Sequence, residues 1–350
     1  MRHIRFGMYL LLVSSYIHAA SIDGTVSPQW VTTTPTFANG DFARGFVKFT
    51  QGFSVDAGAV VTMNVTESVA GQINLNSTGA IILEGDMHLA ANATLAAGGG
   101  RIAPQNGAAI FLDGNLSVPA GTVLDIRDNT IIDGQGHELI LENGNFGGVI
   151  LINGPDHTTL TLRNMTLRGV RDYPGNIPSI LFGSGLKQNL VLENVTVWVD
   201  DTYIFFGGNL LINGEVKLMG PHVFAYLSPN NLTINNDSTL FIDLDTVFHY
   251  APTDRFSKHL HFESSTSRLF LNGCTVFAPN DTGLTLTNGH LIVDHRTVLA
   301  SDGLADPDPQ STAFNFGTAY PDPNTNLTID ILPGAQLECS NGLFVYNNKN

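Results

Sequence analysis

A chain of 350 residues carrying 31 acidic against 16 basic side chains, a formal charge of −15, is a poor partner for duplex nucleic acid or anionic lipid. Only 13% of its residues are charged and 43% are hydrophobic, a balance that excludes a disordered chain. The 36 glycines, with plentiful Asn and Thr, predict many turns between short strands.

The chain begins with Arg2, His3 and Arg5, an apolar run over residues 6–17, and then Ala19, Ala20 and Ser21. This order predicts a signal peptide over residues 1–20, because the run is shorter than the ~20 residues that span a bilayer. Export to the medium or the cell surface follows as an expectation, or to the periplasm in a bacterium. Polar turn residues interrupt every later apolar run, so an integral membrane protein is not expected. Residues 21–45, rich in Thr, Pro and small side chains, are expected to cap the first rung, with Trp30 over the end of the interior.

From residue 46 to 350 one pattern recurs. LFIDLDTVF at 240–248 returns as LFLNGCTVF at 269–277, and related nonapeptides begin at Phe53, Met87, Leu116, Leu160, Leu190, Leu210, Leu291 and Ile329. Numbering the places 0 to 8, places 0 and 2 are apolar, 3 to 5 form a turn, 6 is small and 8 is large. Strand alternation predicts that 0, 2, 6 and 8 point inward while 1 and 7 point out. Gly or Asn recurs in the turn, at Gly58, Asn92, Gly121, Asn164, Asn194, Gly214, Gly273 and Gly334, as left-handed backbone requires. A further rung is expected around residues 130–141. Steps of about 20 to 30 residues predict an array, one parallel β-helix of eleven to fourteen coils and about 50 to 70 Å.

The pairs Phe224 with Tyr226 and Phe248 with Tyr250, followed by Phe277, predict an internal stack of rings. Residues 301–326, with SDGLADPDPQ and YPDPN, form an inserted loop, and the last strand is expected to run to about Tyr346. Cys274 and Cys339 are expected three rungs apart, too far for a disulfide.

The leader, the rung length, and segments such as IIDGQGHELIL and NLVLENVTV resemble the pectin-lyase-like right-handed β-helix superfamily over residues 46–346. The resemblance implies an all-β right-handed parallel β-helix, and the superfamily includes polysaccharide lyases and hydrolases beside non-catalytic surface proteins. Its hydrolase motifs, Asn-Thr-Asp, Gly-Asp-Asp, Gly-His-Gly and Arg-Ile-Lys, do not occur here. The nearest candidates are Asp200 and Asp201, which follow Val199. Inverting hydrolysis needs two carboxyls about 6.5–9.5 Å apart across the bond, which adjacent residues of one strand do not supply.

Asp294, His295 and Arg296 are similar to the Ile-Asp-His segment of pectate lyases, yet they occupy places 3 to 5 of one copy and are expected to form one more turn. Asp302, Asp306 and Asp308 are candidate ligands for a hard cation, short of the six to eight oxygens Ca²⁺ takes. His249, His259 and His261 lack the companions of a zinc site. No cofactor is expected. The Asn-x-Thr sequences at Asn92, Asn164, Asn194 and Asn231 are explained by a turn Asn followed by an inward Thr. The expected function is a non-catalytic scaffold or adhesin-like protein binding a glycan or protein partner, with end-to-end self-association as a structural alternative. A lyase or hydrolase with an unfamiliar site is the catalytic alternative.

Overall fold

The computed structural model describes residues 21–65, 68–144, 147–173, 177–183, 187–253, 260–279, 283–302, 314–317, 326–341 and 344–347. The expected signal peptide, residues 1–20, lies outside them, as does most of the 301–326 loop. Every element among the described residues is a β-strand. Strands one turn apart pair in parallel, as Leu240 with Leu269 and Leu269 with Leu291. The one antiparallel pairing among them joins Asp172–Tyr173 to Ile177–Pro178.

The chain therefore winds as a parallel β-solenoid with three faces. Strands of the first face begin at Ile22, Phe42, Val60, Ala80, Arg101, Val123, Val149, Ile180, Tyr203, Val223, Val247, Thr275, Arg296 and Gln336. The stack is about 60 Å long at the ~4.8 Å separation of neighbouring strands. The second face carries strands such as Met87–Leu89, Ala109–Leu112 and Thr130–Asp133, and the third carries Gly52–Val55, Leu116–Val118 and Glu138–Leu141. Long strands such as Asn189–Val199 bend round the corner between the second and third faces. On the first face the ladder is interrupted between Ile180–Phe182 and Tyr203–Phe205, where the Phe182 and Phe205 rings meet at 5.1 Å.

Residues 21–45 enter this ladder directly. Ile22–Val31 pairs in parallel with Phe42–Phe49, so the segment expected as a cap itself builds strands of the first turns. Trp30 is 72% exposed, with Lys48 over its ring, and so does not close the interior as expected.

The nonapeptide falls on two different corners of the coil. Copies at Met87, Leu160, Leu190 and Leu210 join the second face to the third; those at Phe53, Leu116, Leu240, Leu269 and Leu291 join the third to the first. The corners also differ in length. Asp243, Leu244 and Asp245 separate inward Ile242 from inward Thr246, whereas Asn272 and Gly273 alone separate Leu271 from Cys274. Because side chains alternate, one residue fewer exchanges the inner and outer sets. Places 6 and 8 are buried at Thr246 and Phe248, but at Thr275 and Phe277 they face out and Val276 is buried. Met165 with Leu167 and Val195 with Val197 point inward for the same reason, which explains why Arg168 and Trp198 stand at place 8.

Left-handed backbone occurs at the expected turn residues except Asn92, and Asp245 and His295 adopt it too. The Phe224 and Phe248 rings stack at 6.2 Å and Tyr226 and Tyr250 at 5.7 Å, inside the core. Such contacts add about 0.5–1.5 kcal/mol each beyond area burial. Phe277 does not continue the column.

Candidate functional site

Asp200 and Asp201 follow Val199 in the corner between the third and first faces, outside any strand. Asp200 is half-buried and held from the turn before, by the Gly169 N–H at 2.9 Å and Arg171 Nη2 at 3.1 Å on Oδ2. Asp201 is exposed and accepts the Thr202 N–H at 2.7 Å. Stacking brings a third carboxyl here that sequence reasoning missed. Asp172, which accepts the Ile204 N–H at 3.1 Å, has its pKa raised by burial, with the charge of Asp201 adding to the effect. Asp172 and Asp200 thus sit in different surroundings, Asp172 desolvated and Asp200 paired with Arg171. No signal in the local sequence marks Asp172, because Thr202, whose carbonyl bonds its N–H, lies a full turn later.

Asp294, His295 and Arg296 sit at the same corner four turns further on, about 19 Å away at ~4.8 Å per turn. They form a turn, as expected. His295 has a φ of 54° and its N–H binds Asp294 Oδ1 at 2.8 Å. Arg296 grips Glu338 of the next turn with Nε and Nη2 at 2.7 and 2.8 Å, holding that carboxyl below its usual range. The triplet is thus engaged in the stack and does not converge with Asp200.

Of the cation candidates, Asp302 receives a hydrogen bond from the Ser301 hydroxyl at 3.2 Å, while Asp306 and Asp308 fall outside the described residues. His261 is exposed, and His259 also falls outside. Among the described residues no three His, Cys, Asp or Glu side chains are placed to hold a metal. Cys274 and Cys339 share no disulfide; register puts them two turns apart, correcting the expected three. Thr94, Thr166, Thr196 and Thr233 all face outward, so the inward Thr invoked for the Asn-x-Thr sequences is not found. Instead Asn194 Nδ2 reaches Asn164 Oδ1 at 3.5 Å, the start of a corner ladder.

The outer first face is the most distinctive surface. Ile204, Ala225, His249, Phe277 and Ala300 form one outward column in direct register. Val223, Val247, Thr275 and Val298 form its neighbour. No Asp, Glu, Lys or Arg stands in either stretch, although the chain carries −15 overall; at the next turn the second column reaches Glu338, paired with Arg296. All are half-buried except Ala225, which is buried. Phe206 and Leu244, 56% and 52% exposed, border the surface at its two corners. The third face differs: Lys217, Phe241, Phe270, Ile292 and Asp330 mix both charges with rings in one column. At the middle of the column from Ile204 to Ala300, the His249 ring meets Phe277 edge-on at 4.8 Å, and burial lowers its pKa against the opposing pull of Asp302.

Place 7 carried a sequence signal for the first face, since Val247 and Val298 on this surface and Val60 and Val123 on earlier turns repeat there, where solvent-facing positions are usually polar. Comparison with protein-family models, curated proteins and solved structures finds no match.

Proposed function

We propose that the chain is an exported, non-catalytic β-helix scaffold, secreted or held at the cell surface, whose outer first face docks a protein. The observation that carries this reading is the uncharged pair of columns from Ile204 to Ala300. Contiguous apolar surface flanked by exposed rings and aliphatics is the mark of a protein-docking site. A sugar would need convergent hydrogen-bonding groups, and the two columns offer only Thr275 and His249. The right-handed coil and the kinship with pectin-lyase-like proteins rest on resemblance in rung length and turn chemistry. Export rests on the leader. The dispersal of Asp200 and Asp294 along one corner, each already bonded, weighs against a groove of convergent carboxylates.

A photo-crosslinking side chain at Val298 tests the docking, with the same group at Lys217 on the third face as control. Capture of one defined protein from Val298 and not from Lys217 is expected. Equal capture from both faces, or none from Val298, contradicts it.

The raised pKa of Asp172 beside Asp200 and Asp201 supports a second reading, a polysaccharide-cleaving enzyme. Incubation with acidic and neutral polysaccharides, with and without calcium, separates the two. Release of unsaturated or reducing ends that Asp172→Asn abolishes would favour the enzyme.

A further inference from the structure

We infer that the protein docked on the first face is a second copy of this chain, packed antiparallel across a twofold axis at the level of His249. This rests on the docking reading above and names its partner.

The argument is one of size and charge. Successive turns of the outer column present Ile204, Ala225, His249, Phe277 and Ala300, so large and small side chains alternate unevenly about the middle. A twofold axis lying in the interface along the strand direction keeps each column opposite itself and reverses the order of turns. Ile204 then meets Ala300 of the second copy, Ala225 meets its Phe277, and His249 meets its own equivalent. A large side chain faces a small one at every level except the axis. A parallel arrangement would set Phe277 against Phe277 and leave Ala225 facing Ala225. Close packing penalises both overfilled and underfilled contacts, which selects the reversed order. The neighbouring column tolerates the same operation, with Val247 on the axis and Val223 opposite Thr275.

Charge points the same way. Two chains of −15 repel one another over most of their surfaces, and the repulsion is least where neither contributes a charged group. An isologous contact uses one patch twice, so a single uncharged patch supplies both halves. Faces of stacked sheets approach to about 10 Å, a distance at which outward side chains of this size interdigitate.

The test is the molar mass of the full chain by light scattering and sedimentation over a range of micromolar concentrations. Twice the monomer mass is expected. Phe277→Asp and Val247→Asp should each weaken the dimer about tenfold or more, because a charge is then desolvated in an apolar contact. Ala225→Phe should weaken it too, since it sets two rings face to face. Combining Ala225→Phe with Phe277→Ala restores large against small and should recover the dimer. Circular dichroism and the melting transition of each variant establish that it folds. Val247 and Phe277 are half-buried outward positions, so the Asp variants remain informative if Ala225→Phe, at a buried position, does not fold. A chain that stays monomeric, a dimer indifferent to Phe277→Asp and Val247→Asp, or a double variant no better than Ala225→Phe alone overturns the inference. A monomer that still captures another protein through Val298 removes the second copy and keeps the docking reading. A monomer that captures nothing there removes both.

Discussion

Phe248 and Phe277 close two copies of the same nonapeptide, yet Phe248 stacks on Phe224 in the core while Phe277 lies outside against His249. The tripeptide Thr-Val-Phe is identical in both. What differs is the corner before it, three residues at Asp243, Leu244 and Asp245 but two at Asn272 and Gly273. The slip is visible in the ladder, where Val247 pairs with Thr275 and Phe248 with Val276. Both sides of the sheet gain apolar side chains from one motif, and Phe277 adds a ring to the outward column from Ile204 to Ala300.

Truncation separates the two rings. Phe248→Ala should cost about 3–5 kcal/mol, the usual loss for a buried ring. Phe277→Ala should cost under about 1 kcal/mol in dilute solution, where its outer side meets water. Urea unfolding of both variants checks the difference.

The two cysteines should differ in reactivity. Cys274 is buried, and burial pushes its thiol up to about 12, whereas Cys339 is exposed. At pH 8 an alkylating reagent should modify Cys339 in the folded chain and reach Cys274 only in denaturant, because the thiolate is the nucleophile. Peptide mass mapping reads both sites.

His249 predicts an acid-side loss of stability. Its folded pKa lies below the ordinary 6.5 of an imidazole, chiefly through burial, so below 6.5 the unfolded chain takes up a proton that the folded chain refuses. Stability should fall as pH drops from 6.5 to the folded pKa and then level off for this group. His249→Gln should flatten that part of the pH profile in thermal melts.

Asp172 carries the opposite prediction. Its carboxyl is raised above 3.8 mainly by burial, so the folded form holds its proton longer than the unfolded form. That disfavours folding once pH rises above 3.8, and fully so above the folded pKa. Asp172→Asn, which keeps an oxygen for the Ile204 N–H, should therefore melt at the same or a higher temperature at pH 7 and lose the advantage at low pH.

The repeat was legible because each turn of a solenoid needs the same small set of corner and core residues, and LFIDLDTVF states that set openly. Its corner length was not. Left-handed backbone is available to Asn and Gly, but also to Asp245 and His295, so residue identity alone did not separate short corners from long ones. Arg168 at a supposedly inward place was the one overt sign of a slip. The Asp294 triplet could be identified as a turn because other copies align with it. Asp172 could not be joined to Asp200, since their proximity arises from stacking across a whole turn. The outer first face was half legible, through the valines of place 7; its other column depends on the slip that brings Phe277 outward.

Cysteine labelling tests most directly whether this outer face exists and is used. In a Cys274→Ser, Cys339→Ser background, single cysteines at positions 247, 248, 276 and 277 are exposed to a maleimide, first in dilute chain and then at a high concentration of unlabelled full chain carrying neither cysteine. The structure predicts fast labelling at 247 and 277 and protection at 248 and 276, and the docking proposal predicts loss of the 247 and 277 signals at the higher concentration. Protection at 277 in the dilute chain, or labelling at 247 and 277 unchanged by the added chain, would contradict it.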